Sequence, residues 1–140
     1  MADRTARATW HGDLFKGSGT VSATSSGVFT EAPVTWASRT ETAGGRTSPE
    51  ELIAAAQAAC FCMAFSNELS SRGNEPARLD VEATCTFEDG KVTTMALQVH
   101  ADVPGADDTA ITEGLAAAEQ SCPVTNAVRG NVEIVVTRQT

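Results

Sequence analysis

Polar and apolar positions alternate in two long runs in the second half of the chain. Leu79, Val81, Ala83, Cys85 and Phe87 share one face of the first run, and Val92 to Val103 continues the alternation in the second. Alternation of that length predicts half-buried strands. Glu88-Asp89-Gly90-Lys91 lies between them and carries the Asp-Gly signal of a tight hairpin turn. A different pattern precedes them. Leu52 to Phe65 is a run of 14 residues in which only Gln57 is polar. Thr47-Ser48-Pro49-Glu50-Glu51 opens this run as a helix. Ser48 suits the N-cap, Pro49 the first helical position, and Glu51 completes a capping box with Ser48. The predicted helix runs to about Ser71 and closes at Gly73. Being apolar all round, it should be buried on every side. One sheet cannot cover such a helix in a chain this small, so the rest of its cover should come from another helix or a second subunit.

Beyond the hairpin, Asp107-Asp108 opens a helix that carries Ile111, Leu115 and Ala118 on one stripe. Ser121-Cys122-Pro123 breaks it. Pro123 then starts a short helix to Val128, ended by Gly130, and Val132 to Thr137 reads as a last strand. The first forty residues are less sharply patterned. Ala6 to Trp10 and Gly17 to Ser22 read as strands, with a turn at Ser25-Ser26-Gly27 before Val28-Phe29. Pro33 and Gly44-Gly45 mark loops on either side of Val34-Thr35-Trp36. The order of strands, long helix, hairpin, helix and strand predicts one α+β domain over residues 1–140, with antiparallel sheet around the long apolar helix.

Charge narrows the function. Ten Lys and Arg against 18 Asp and Glu give a net charge of -8. That argues against nucleic acid or an anionic membrane as partner, because both are bound through cationic surfaces. Four cysteines in 140 residues are too few for a disulfide scaffold. No apolar segment follows the charged start Met1 to Arg7. The apolar run of 14 residues falls short of the ~18 expected of a membrane span. The expectation is a soluble, cytoplasmic protein, in a compartment where thiols stay reduced.

Cysteine is the residue class with unusual placement. Cys60 lies in the middle of the apolar helix, and Cys122 lies where a helix starts before proline. A thiol at a helix N-terminus meets the positive end of the dipole, which favours thiolate. If the fold brings the two together, they form a peroxidatic and resolving pair: one thiolate becomes sulfenic acid and the second condenses with it to a disulfide. Against this stands the plainer reading that a cysteine on an Ala-rich helix is a small core hydrophobe. Cys85, on the inward face of a strand, fits that reading best. Cys62 points about 200° away from Cys60 round the helix. Metal binding lacks support, because no C-x-x-C pair exists and His11 and His100 have no ligand-spaced neighbours. A Cys/His dyad would need one of those histidines to meet Cys60. A buried thiol needs a cation to ionise it. Arg39, Arg46, Arg72, Arg78 and Arg129 are available, and Glu50 could hold one of them. Glu50 itself stands ten residues before Cys60, roughly 15 Å along a helix axis, too far to touch it.

Thr47-Ser48-Pro49-Glu50-Glu51-Leu52 through Ala59-Cys60-Phe61 resembles the central helix of the OsmC/Ohr family of hydroperoxide reductases. Ser121-Cys122-Pro123-Val124-Thr125 resembles the family's second-cysteine motif. Ala8 to Asp13, Gly17 to Ser22, and Arg39 within Ser38-Arg39-Thr40-Glu41 are similar to the OsmC branch in particular. The resemblance implies a thiol-dependent peroxidase that reduces organic hydroperoxides, in some branches hydrogen peroxide, and is restored by a dithiol reductant. It implies an intertwined α+β homodimer with the site at the subunit interface, and no metal or prosthetic group. By motif position Cys60 is peroxidatic, Cys122 resolving, Arg39 the cation and Glu50 the carboxylate that positions it. Three positions depart from the family pattern: Ser48 for Asn, Gln57 for His or Tyr, and Cys62 for Ser. A reading from a different class is a dimeric binding module for an apolar small molecule, with structural cysteines.

Overall fold

Met1–Leu52 form the first of two units in a computed structural model that describes Met1–Thr140. Strands β1 (Arg7–His11), β2 (Ser18–Ser22) and β3 (Ala32–Val34) pair antiparallel in that order, with Thr9 opposite Thr20 and Gly19 opposite Val34. Gly19 is needed for close approach. A Cβ there would stand 2.7 Å from Trp10 Cε3 and 2.6 Å from the Thr9 carbonyl oxygen, so the Trp10 ring lies across β2 only because no side chain intervenes. After β3 the chain forms a short helix, α1 (Trp36–Thr40), where the sequence suggested no helix. Its start is a capping box. The Ser38 N–H donates to Thr35 Oγ1 at 3.0 Å, and the Thr35 N–H donates to Ser38 Oγ at 3.0 Å. Five residues are too few to show an apolar period, so only the Thr35/Ser38 spacing marked this helix in advance.

Helix α2 (Pro49–Ser71) has the predicted bounds, and Ser48 Oγ accepts the Glu51 N–H at 3.1 Å. It leads into the second unit, Ile53–Thr140. There β4 (Arg78–Glu88) and β5 (Lys91–Asp102) form the predicted hairpin, with φ of 50° at Asp89 and 77° at Gly90. Positive φ at both central residues matches the twist of the strands they join. Helices α3 (Asp108–Ser121) and α4 (Pro123–Val128) follow, then β6 (Glu133–Gln139). This sheet corrects the expectation of purely antiparallel pairing. β6 runs parallel to β5, with Met95 opposite Ile134. The connection through α3 and α4 returns the chain to the same end of the sheet, and a crossover of that kind makes parallel neighbours.

The core of the second unit gathers Phe61, Phe65 and Leu69 of α2 with Met95, Leu97 and Val99 of β5, Ile111 and Ala118 of α3, and Cys122. The three α2 residues repeat every fourth position and so share one face. Gly114 lets α3 come close to that face: a Cβ there would be 2.8 Å from Leu69 Cδ2. The opposite face of α2 is open within one chain. Ala55, Ala56, Ala59 and Met63 are exposed, Met63 at 68%. The expectation of burial on every side is therefore not met by a single copy, because β5 and α3 cover only the phenylalanine row. Over its most apolar 18 residues α2 has a mean hydropathy of 1.3, so it is also long and apolar enough to cross a membrane, although the shorter run pointed the other way. Here its phenylalanine row is packed into the core of the second unit.

Candidate active site

The two cysteines that the sequence singled out meet. Cys60 projects from the middle of α2, and Cys122 sits at the junction where α3 ends and α4 begins, with Pro123 as the first residue of α4. Their sulfurs are 3.3 Å apart, across 62 positions of sequence. Both are free thiols; Cys122 is fully buried and Cys60 half-buried. Closing to a disulfide length of about 2.05 Å needs roughly an ångström of movement.

Around Cys122 stand two polar residues that the core otherwise excludes. Gln57 Nε2 donates to Thr125 Oγ1 at 2.8 Å and points at Cys122 Sγ from 3.7 Å. Gln57, Thr125 and Cys122 are all fully buried. Burial pushes the Cys122 thiol up, but the Thr125 hydroxyl and N–H, the Cys60 thiol and the Val124 N–H together outweigh it and hold it below the ordinary cysteine range. Cys60 goes the other way. Burial raises its thiol, the Val124 N–H opposes the rise, and the hydrogen bond and charge of Cys122 add to it.

Arg39 and Glu50, the other two expected site residues, pair within the first unit. α1 supplies Arg39, and the first turn of α2 supplies Glu50. Arg39 Nε and Nη2 both donate to Glu50 Oε1, at 2.9 and 2.8 Å. The guanidinium also lies 5.9 Å from the centre of the Trp36 ring. Glu50 is buried, and its Oε2 has no hydrogen-bond partner. Beside the pair lies a cleft of about 320 Å³ lined by Trp10, Leu14, Val34, Trp36, Arg39 and Pro49.

The remaining cysteines lie elsewhere. Cys62 lines a separate groove with Met63, Ser66, Pro76 and Leu79. Burial, then the charge of Asp80, raises its thiol against the opposing Val81 N–H. Cys85 packs against the core of the second unit. His11 is exposed on β1, and His100 on β5 faces Asp80 at 3.8 Å, so neither forms a dyad with Cys60. Sequence reasoning missed Thr125 and the stacking of Arg39 on Trp36. The signal for the first was Gln57 itself, the one polar side chain inside an apolar run.

Residues 42–137 match the model of a family described as OsmC-like protein. The chain belongs to the OsmC family. It is similar to peroxiredoxin OsmC of Escherichia coli (strain K12), 36% identical over 132 residues that cover 91% of each chain. Organic hydroperoxide resistance protein of Xanthomonas axonopodis pv. citri (strain 306) is 29% identical over 98 residues, 67% of this chain and 68% of that one. The match to OsmC is thus the longer and the stronger of these two, in keeping with the OsmC branch. A crystal structure of an organic hydroperoxide resistance protein from Elizabethkingia anophelis has a TM-score of 0.69 and 29% identity, covering 97% of this chain and 96% of that one. The chain therefore has the OsmC-type α+β fold.

Proposed function

We propose that this OsmC-family chain is a cysteine-based peroxidase that reduces organic hydroperoxides through Cys60 and Cys122. The Cys60 thiolate attacks one peroxide oxygen. The O–O bond breaks, the alkoxide leaves and takes a proton as the alcohol, and Cys60 becomes sulfenic acid. Cys122 then attacks the oxidised sulfur, water leaves, and a Cys60–Cys122 disulfide remains for an external dithiol to reduce. The observation that carries this reading is the 3.3 Å separation of the two sulfurs. The relatives, a peroxiredoxin and an organic hydroperoxide resistance protein by name, support the class of activity.

Burial raises the Cys60 thiol, so the attack requires a cation to hold its thiolate. Arg39 is that cation in our reading, fixed by Glu50, and the apolar cleft beside it takes the organic group. The chain works as one OsmC-like domain within a homodimer in the cytoplasm. The exposed apolar face of α2 (Ala55, Ala56, Ala59, Met63) supports a second copy as its cover.

Turnover of tert-butyl hydroperoxide with excess dithiothreitol tests the reading. The native chain should consume peroxide and Cys60→Ser should be inactive. A Cys60→Ser protein as active as the native one would overturn the proposal and favour an apolar-ligand module instead.

A further inference from the structure

We infer that Gln57 and Thr125 are positioning residues for the second half of the reaction: the Gln57 amide, held by the Thr125 hydroxyl and aimed at the Cys122 sulfur, sets that thiol to close on an oxidised Cys60. The inference rests on the peroxidase chemistry proposed above and concerns only its resolving step.

The row is built from both sides of the thiol pair. Gln57 stands three residues before Cys60 on α2, and Thr125 three residues after Cys122 on α4. The Thr125 oxygen accepts the Gln57 Nε2 hydrogen at 2.8 Å and so fixes the amide, and the Thr125 hydroxyl and N–H act to lower the Cys122 thiol. The second amide hydrogen of Gln57 faces the same sulfur, with Nε2 at 3.7 Å. All three side chains are shut off from water, so no solvent molecule replaces a donor that is removed. Packing does not explain the amide. Its Oε1 is buried with no hydrogen-bond partner, and an apolar side chain of similar size would leave no such orphaned amide oxygen.

The chemistry gives the row its use. Resolution is attack by Cys122 thiolate on the sulfur of Cys60 sulfenic acid. A sulfur–sulfur bond forms, the S–OH bond breaks, and the hydroxide takes a proton and leaves as water. Competing with it is a second hydroperoxide, which would carry Cys60 on to sulfinic acid. Donors aimed at Cys122 raise its thiolate fraction about tenfold per pH unit of lowering, while nucleophilicity falls only about threefold. The net effect favours closure at neutral pH, and the 3.3 Å separation keeps the path short.

The test separates the two steps. Reduced native protein, Thr125→Val, Thr125→Ser and Gln57→Met are mixed with tert-butyl hydroperoxide, quenched over time and analysed by mass spectrometry for Cys60 sulfenate, disulfide and sulfinate. Thermal melts are run alongside. Thr125→Val and Gln57→Met should slow disulfide closure by about tenfold or more, the size expected for lost hydrogen bonds to a charged group. They should slow peroxide attack far less and should accumulate Cys60 sulfinate. Thr125→Ser should restore closure, and Gln57→Met should melt no lower than the native chain. Closure at the native rate in Thr125→Val and Gln57→Met overturns the inference, as does equal slowing of attack and closure. A native protein that forms no Cys60–Cys122 bond fails before any variant is compared, and it overturns the underlying peroxidase reading as well.

Discussion

Truncating Arg39 and Glu50 singly and together measures whether these side chains form one unit. Two charge-assisted hydrogen bonds converge on Glu50 Oε1, at 2.9 and 2.8 Å. Bonds to charged groups contribute ~1.5–3 kcal/mol each at most. The Arg39 side chain is 30% exposed against 8% for Glu50, so solvent screening reduces the pair to a coupling of about 1–2 kcal/mol. Glu50 also complements the N-terminal end of the α2 dipole, worth a further ~0.3–1 kcal/mol that does not depend on Arg39. Glu50→Ala should therefore cost about 2 kcal/mol or slightly more, Arg39→Ala about 1–2, and the double variant less than their sum by the coupling. Urea denaturation of the four proteins gives each number. If the guanidinium serves Cys60, both single variants should also lose about 100-fold in kcat/KM toward tert-butyl hydroperoxide, and the double variant should lose little more. A stability coupling below ~0.5 kcal/mol, or kinetic losses that simply multiply, would refute the idea that Glu50 acts by holding Arg39.

Three further outcomes follow from the same geometry. The lowered Cys122 thiol means that the unfolded chain binds more protons just below about pH 8.5, so stability should rise with pH there; the raised Cys60 thiol acts oppositely, so stability should fall above that pH. Urea midpoints of the reduced protein from about pH 6.5 to 10 should show this hump, and Cys122→Ser should remove its rising limb; a rising limb that persists in Cys122→Ser contradicts the assignment. Met63→Arg puts a charge on the exposed face of α2 and should turn a dimer into monomer by light scattering, while a dimer of unchanged affinity would show that this face is not the interface. Cys62→Ser should leave peroxide turnover within about twofold of native, since part-buried Cys62 lines a different groove; a large loss would place Cys62 in the reaction.

Much of the molecule was legible in advance where one local rule dominated. Ser48, Pro49 and Glu51 specify the start of α2, and the structure begins that helix at Pro49. Asp89-Gly90 specifies the hairpin through its backbone conformation. The parallel placement of β6 was not legible, because strand direction is decided by where the α3–α4 connection returns the chain and not by the residues of β6. α1 escaped because five residues cannot show a period. Cys60 and Cys122 were recognisable from their motifs, whereas their 3.3 Å contact depends on how α2 packs beneath the α3–α4 junction. Thr125 was visible only as the last residue of the second-cysteine motif, with no role attached. It matters because α4 sets its hydroxyl against an amide 68 positions away.

The most direct measurement is the fate of the thiols when the fully reduced protein is titrated with one equivalent of tert-butyl hydroperoxide per chain and its disulfides are mapped by mass spectrometry. The account predicts stoichiometric loss of peroxide, a single bond joining Cys60 to Cys122 within one chain, and Cys62 and Cys85 still reduced. Peroxide left unconsumed, or a first-formed disulfide that includes Cys62 or Cys85, would contradict it.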